Sequence, residues 1–343
     1  MFCRLFVNNF EDDFVDEIIL PAHNKGRNVM CSKATTLQPS DRARNLVQGA
    51  YDLHVHTGPD IMPRSVTDVE LARQCLRWGQ AGFVIKSHYI PTAERAALTR
   101  SVVPGVNVLG AVTLNAAIGG MNALAIEIAA REGARIVWLP TVDAVNETAG
   151  RVPPAPGAKL PFWARFQHEL RAQGVTSEPV RVVDEANHAL PETRAVLQAV
   201  ARHNLVLATG HLGRDEIFAV VDAALEEGVR FIVITHPEFP SENLSAEDQI
   251  ALARRGAFLE RCFTTAYTGK VSWQQMFDNI RAAGPRHSFL STDLGQPDNP
   301  SPEDGLALMV DQLLGAGFSE EEIRVMAVTN TVRLATGQDA LQR

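Results

Sequence analysis

The sequence predicts an α/β protein: a (β/α)8 TIM barrel with a lid segment inserted after its fourth strand. Three observations predict it. Eight short apolar runs alternate with helical patterns along the chain. The runs are apolar throughout, as strands are when both faces are covered. Ionisable residues recur at their carboxyl ends, where barrels of this kind build their sites. A doubly wound sheet is the rival architecture. However, no Gly-rich phosphate loop follows the first strand, and Leu109–Ala111 is no dinucleotide fingerprint.

Taken in order, Tyr51–Asp60 (YDLHVHTGPD) is a strand that ends in His-x-His and is broken by Thr57-Gly58-Pro59. Side chains alternate along a strand, so Asp52, His54 and His56 are expected on one face. Thr67 and Glu70 form a capping-box pair that opens a helix through about Trp78. Gly82–His88 is the second strand, Thr92–Arg100 a short helix, and Val106–Thr113 the third strand. Met121–Glu132 is helical and Arg135–Thr141 is the fourth strand. The stretch from Asp143 to Asn204 is too long for one connection. It holds a proline-rich loop, an amphipathic stretch Phe162–Gln173, a strand pair around Val180–Val183 and a helix Pro191–His203. Its first part, about residues 142–181, is the expected lid.

Strands at Leu205–Thr209, Phe231–Thr235, Ala257–Cys262 and Ser288–Thr292 complete the eight. Helices at Asp215–Glu227, Ser245–Arg255 and Ser272–Ala283 lie between them. Ser245/Asp248, Ser272/Gln275 and Ser319/Glu322 are capping pairs. The barrel is expected over residues 49–340, after an irregular N-terminal extension at 1–48. Met1–Asn28 lacks the basic and apolar regions of a signal peptide, and Met30 is a candidate true start.

Composition narrows the partners. The formal charge is −8 with no basic run, which argues against nucleic acid and anionic membranes. No apolar stretch reaches the ~20 residues of a membrane span. Four scattered cysteines, without C-x-x-C spacing, suggest neither a disulfide framework nor a zinc knuckle, and fit a reducing cytoplasm. Cys75 reads as core, whereas Cys262 lies two residues after Glu260 and stays under suspicion. The expected partner is a small-molecule substrate, and a homodimer is the default assembly.

The polar strand ends point to a metal. His54 and His56 end the first strand, Lys86 and His88 the second. His211 ends the fifth, His236 the sixth and Asp293 the eighth, and Glu260 lies on the seventh. Buried histidines are costly without partners. One metal at the barrel mouth partners them all.

With DLHVH at Asp52–His56, TGHL at Thr209–Leu212, THPEF at Thr235–Phe239 and STDLG at Ser291–Gly295, the chain resembles the amidohydrolase superfamily of metal-dependent hydrolases. The closing segment Asn330–Gly337 fits too, so the resemblance covers roughly Tyr51 to Gly337. It looks closest to the compact branch that includes phosphotriesterase-like, lactonase-like and deoxyribonuclease-like members. The resemblance implies that His54 and His56 ligate a first divalent metal. Asp293 would complete that site and act as general base. His211 and His236 would ligate a second metal, or share the binding of one metal and of substrate. The chain departs from the pattern at the fourth strand, where Trp138-Leu139-Pro140-Thr141 offers no bridging lysine or glutamate. Lys86, as a carbamate, and Glu260 are the two alternative bridges.

The chemistry follows from residue types. A Lewis-acidic ion acidifies water toward a pKa of ~7, and an ionised Asp293 is acceptor-only and suits proton transfer. Imidazole and carboxylate ligands fit Zn²⁺, with Mn²⁺ or Fe²⁺ as alternatives. The expected activity is hydrolysis of an amide or cyclic amide C–N bond by a metal-activated water, using one or two ions. Lactonase and phosphoesterase activities are alternatives on the same scaffold. A metal-dependent decarboxylase and a non-catalytic metal-binding barrel are the rivals of other classes. Arg64, His88 and Glu260 are expected to touch an anionic substrate. Solvation of Arg64 and a structural pair between Lys86 and Glu260 are the bland readings. Asp52 is expected to orient a histidine from beneath, and Trp138 to pack between barrel and helices. His168, His188, His203 and His287 read as surface residues.

Overall fold

The chain is described from a computed structural model over residues 37–149 and 162–338. The expectations for Met1–Asn28, for Met30 and for the proline-rich loop at 152–161 fall outside those residues. Eight parallel strands follow one another in chain order around a single sheet. They are β1 (Tyr51–Val55), β2 (Gly82–Ile85), β3 (Asn107–Thr113), β4 (Ala134–Trp138), β5 (Val206–Ala208), β6 (Phe231–Ile234), β7 (Phe258–Cys262) and β8 (Ser288–Ser291). The sheet closes on itself at the mouth end. There Asp293 N donates to His54 O at 2.7 Å and His56 N donates to Leu294 O at 2.8 Å. This is the predicted barrel.

The helices form the outer layer, and their starts are written in the sequence. A short α1 (Asp41–Leu46) precedes the barrel. The reciprocal capping box of Thr67 and Glu70 opens α2 (Asp68–Trp78), and Gly79 closes it in the left-handed region at φ 69°. After β2, β3 and β4 come α3 (Ala93–Val102), α4 (Ala123–Arg131), and α5 (Val145–Ala149) with α6 (Phe162–Ala172). Then follow α7 (Pro191–Arg202), α8 (Arg214–Glu226), α9 (Ala246–Arg254), α10 (Phe263–Tyr267) and α11 (Trp273–Ala283). Ser245 caps α9 and Ser272 caps α11 through their hydroxyls. The chain closes with α12 (Pro302–Gly315), α13 (Glu320–Arg324, capped by Ser319) and α14 (Asn330–Thr336). The strand pair expected near Val180–Val183 is reduced to isolated bridges, Ala144 with Val180 and Val183 with Ala189.

One local feature corrects the expected face of Asp52. Asp52 is in register with Phe83, and Val55 with Ile85. Three steps on β1 therefore match two on β2, which is a β-bulge. Phe83, Ile85 and Val55 pack with Leu71, Ala72 and Cys75 of α2, so this is the helix-facing side. Asp52 shares that side, while Leu53 joins Val84 and Trp138 in the barrel interior. The extra residue restores His54 and His56 to the interior. Asp52 thus leaves the imidazole face. It accepts Thr292 N at 3.1 Å and the Thr292 hydroxyl, tying β8 to β1. Burial pushes its carboxyl up to about 7.

The described part of the insert packs against the loops at the mouth. Phe166 of α6 stands edge-on to Tyr89, with ring centroids 5.6 Å apart. Met62 and Val142 complete that small apolar cluster. Gln167 anchors the helix by donating to Val142 O at 3.1 Å. At the start of α5, Asn146 donates to His211 O at 3.2 Å and Ser241 O at 2.7 Å. The lid is therefore stitched to the loops that carry the site.

Candidate metal centre

Five imidazoles form a closed circle at the barrel mouth. Going round, ring centroids are 5.5 Å apart for His54–His56, 5.2 Å for His56–His88 and 6.2 Å for His88–His211. The circle closes with 5.1 Å for His211–His236 and 6.0 Å for His236–His54. All five are buried. Each comes from the carboxyl end of β1, β2, β5 or β6, because the inward strand positions end there. His236 and Asp293 sit at positive φ, 22° and 52°, where the chain turns off the strand into its loop.

The first cluster is His54, His56 and Asp293, whose ligand atoms lie within 4.8 Å of one another. Nε2 of His54 is 3.2 Å and Nε2 of His56 is 3.1 Å from the same oxygen, Asp293 Oδ1. His54 Nδ1 faces Glu260 Oε1 at 3.0 Å, an acceptor, so Nδ1 carries the proton and Nε2 keeps its lone pair. His56 Nδ1 has two neighbours, Lys86 O at 3.1 Å and an Arg64 N–H at 3.2 Å. These exclude each other, since the carbonyl needs N–H and the guanidinium needs a lone pair. Donation to Lys86 O matches the His54 arrangement and leaves both Nε2 atoms for one cation.

The surrounding charge favours a cation there. Burial and Lys86 act to lower the His54 pKa, but Glu260 and Asp293 outweigh them and raise it. Burial opposes ionisation of Asp293, yet His54 and His56 hold its carboxyl well below the usual range. His56 is the neutral partner: burial and Arg64 push its pKa well down. Thr264 donates its hydroxyl to Asp293 Oδ2 at 3.1 Å and fixes the carboxylate plane.

The second cluster is His211, His236 and Glu242, again with ligand atoms within 4.8 Å. His211 Nδ1–H donates to Glu147 Oε1 of α5 at 2.8 Å, which leaves its Nε2 lone pair free. His236 Nδ1 lies 3.4 Å from Glu242 Oε2, near enough for charge attraction. Nevertheless, His236 Nδ1 and Glu242 Oε1 are both buried without a hydrogen-bond partner among the described residues. Unpartnered polar atoms at this depth are what a bound ion would satisfy. Burial lowers the His236 pKa, but Glu242, Asp293 and Glu260 overcome it and lift it to about 9. Both clusters therefore fit a divalent cation by donor type, burial and charge.

Lys86 is 1 % exposed, and its Nζ sits 2.9 Å from His54 Nε2 and 5.2 Å from the Trp138 ring. The bland reading of a pair with Glu260 is not what the structure holds: no ion pair of Lys86 occurs among the described residues. Burial lowers its pKa, which favours a free amine. Glu260, expected at the substrate, meets protein groups here: Oε1 faces His54 Nδ1 and accepts from the Ser291 hydroxyl at 3.0 Å, and Oε2 accepts His236 N at 3.2 Å. It is ionised, with its pKa down at about 2 although burial acts to raise it, because His54 and its other cationic neighbours prevail. Arg64 is turned inward: Nε and an Nη donate to Asp60 Oδ2 at 2.8 and 2.7 Å. Cys262 lies 3.9 Å from His54 Nδ1, but burial pushes its thiol well up, so it stays protonated. Of the other histidines, His168, His188 and His287 are exposed, whereas His203 is half-buried against Glu127 at 2.9 Å.

Sequence reasoning missed Glu242, Glu147 and Thr264. Glu238, four residues before Glu242, belongs to the THPEF motif, yet it turns away to Arg261 on the outer face of β7. Nothing in the local sequence separates the two glutamates.

The fold is shared with solved structures at low identity. An amidohydrolase from Pseudomonas aeruginosa aligns over 87% of this chain and 98% of its own, at 12% identity and a TM-score of 0.54. A probable dipeptidase from the same organism covers 86% and 96%, at 11% identity and TM-score 0.56. A putative 2-pyrone-4,6-dicarboxylic acid hydrolase from Pseudomonas putida covers 84% and 97%, at 16% identity and TM-score 0.52. No curated protein matches the sequence. One family model, DUF6282, matches residues 49–260, from the start of β1 through Glu260. Spanning more than half of the chain, that match identifies the protein as a member of DUF6282, a family of unknown function.

Proposed function

We propose that the protein is a metal-dependent hydrolase acting on a small molecule. The observation that carries this is the donor set: lone pairs of His54 and His56 aimed at one oxygen of Asp293, beside a second group of His211, His236 and Glu242. Two clusters joined by neighbouring rings support two ions. Lys86, the amine nearest His54, would be the candidate bridge only as its CO2 adduct, in place of a fourth-strand group, because a free amine has a single lone pair. Imidazole and carboxylate donors suit Zn²⁺, with Mn²⁺ and Fe²⁺ as alternatives. When bound, a divalent ion supplies Lewis acidity, acidifying water and polarising the scissile oxygen.

The remaining chemistry belongs to the chain. Glu260 and Glu147 hold the protons of His54 and His211 on Nδ1 and aim each Nε2 inward. Asp293 is kept ionised and oriented by Thr264, so its carboxylate accepts a proton from the attacking water and returns it to the leaving atom. The Tyr89–Phe166 contact holds the described part of the lid against the barrel mouth.

An amide or cyclic amide C–N bond is the proposed target, with lactones and phosphate esters as the alternatives. The test is a panel of dipeptides, cyclic amides, lactones, phosphotriesters and aromatic carboxylic acids offered to zinc- or manganese-loaded protein. Hydrolysis that disappears in Asp293→Asn supports the proposal. Release of CO2 from an aromatic acid without any hydrolysis would replace it with a decarboxylase. Metal binding without Asp293-dependent turnover would leave a non-catalytic metal-binding barrel.

A further inference from the structure

We infer that His88 is held in one tautomer, with its proton on Nε2, and serves as a hydrogen-bond donor to an acceptor oxygen of the substrate, not as a metal ligand. The role toward substrate rests on the hydrolase reading above; the tautomer does not. Asn115 and Thr141 fix it, and both are fully buried.

The Asn115 amide is oriented by backbone groups that can only donate. Its Oδ1 accepts Thr141 N at 2.8 Å and Asp143 N at 3.3 Å. Its NH2 therefore points the other way, donating to His88 O at 2.8 Å and to Thr141 Oγ1 at 2.7 Å. The Thr141 hydroxyl thus accepts from Asn115 and still has its own proton to place. Among the described residues, the polar atom left within reach is His88 Nδ1, at 2.9 Å. A proton on Nδ1 would strand that hydroxyl hydrogen in the interior, leaving a buried donor unsatisfied. Thr141 therefore donates to Nδ1, and the imidazole proton stays on Nε2.

The circle accordingly holds two kinds of histidine. His54 and His211 have carboxylates behind them, Glu260 and Glu147, and turn lone pairs inward. His88 has a hydroxyl behind it and presents an N–H instead of a lone pair. No hydrogen bond from Nε2 occurs among the described residues, and the ring stands between His56 and His211. An N–H there complements a carbonyl, carboxylate or phosphoryl oxygen lying against the cation sites. Asn115 and Thr141 are positioning residues, since they reach the substrate only through His88.

Long-range 1H–15N spectra of the uniformly labelled full chain at pH 8 test the tautomer, with His88 assigned by its absence in His88→Gln. The expected result is a pyrrole-type Nε2 and a pyridine-type Nδ1. Thr141→Val should turn this into a mixture and Thr141→Ser should restore it. A protonated Nδ1 in the wild type overturns the inference. Zinc content gives the second reading. His88→Gln should keep the wild-type stoichiometry, and loss of an ion would make His88 a ligand. On any panel substrate that is turned over, His88→Leu should lose about 10²-fold in kcat, as when one transition-state donor is removed. His88→Gln, which keeps an N–H, should retain most of the rate, and equal losses in both would overturn the donor role. A panel with no turnover would sink the hydrolase reading while the spectra still decide the tautomer.

Discussion

Asp293 Oδ1 has two imidazole nitrogens against it at 3.1 and 3.2 Å, and neither can donate once its ring has given its proton elsewhere. That repulsion is relieved by a cation or by an extra proton. Because Asp293 is also a candidate ligand, loss of its charge is read at saturating zinc, where the remaining effect is on chemistry. Asp293→Asn is expected to lower kcat by about 10²–10⁴-fold, the usual worth of a positioned acid–base group, in steady-state assays on a panel substrate. Glu260→Gln probes the support behind His54. It should weaken metal affinity by about 10–100-fold, read by competition with a chelating dye. Unchanged affinity would mean that Glu260 does not orient His54. At this scale the sequence was legible where strand ends carry ionisable side chains, because position on a strand fixes depth and direction together. His54, His56, Lys86, His88, His211, His236 and Asp293 are drawn to one mouth for that reason. Glu242, Glu147 and Thr264 were not legible, because the loop that carries Glu242 and the one-turn helices that carry Glu147 and Thr264 are too short to show a period.

Elements place these residues through two devices that the alternation rule does not contain. The bulge in β1 moves Asp52 to the helix side and keeps both imidazoles inside. The β1–β8 closure depends on Gly295, at φ 129°, where an added Cβ would stand 1.8 Å from His56 O. Gly295→Ala should destabilise at or beyond the upper end of the ~0.5–3 kcal/mol range of common substitutions, measured by urea denaturation. Arg261, on the β7 face opposite Glu260, ties the loop after β6 to the helix layer. It donates to Glu238, and to Gln249 of α9 at 2.6 Å. Arg261→Ala leaves Glu238 buried with only the Asn279 amide against it and no cation, and should cost about 3–5 kcal/mol by the same measurement. A loss below about 1 kcal/mol would show that Glu238 relaxes into water. The capping pairs, by contrast, were readable at sight. A hydroxyl and a carboxyl three residues apart satisfy helix-start donors whatever the surrounding fold.

For the whole molecule, alternation of apolar runs with helical patterns was enough to predict a barrel. The lid was legible as excess length, but its attachment was not, since Asn146 and Phe166 meet partners far away in sequence. No helix among the described residues is long and apolar enough to cross a membrane. Outside the site, Glu127 gathers His203, Arg131 and Arg202 and ties α4 to α7. Those partners, His203 foremost, pull its carboxyl down to about 2 from the ordinary 4.5. A depressed carboxyl stabilises the fold above its unfolded pKa, and the contribution fades as pH falls through the folded one. Glu127→Gln should therefore melt below wild type at pH 7, and the gap should narrow from pH 5 toward pH 3. A gap independent of pH would remove the ionic account.

The central claim is that this barrel mouth holds divalent metal. Elemental analysis of zinc-reconstituted protein, wild type beside Lys86→Ala, tests it most directly. The account predicts two ions per chain in the wild type and fewer in the variant, in keeping with Lys86 as the bridge. One ion in both would keep the His54–His56–Asp293 site but return Lys86 to a substrate or structural role. No zinc in reconstituted wild type would contradict the account.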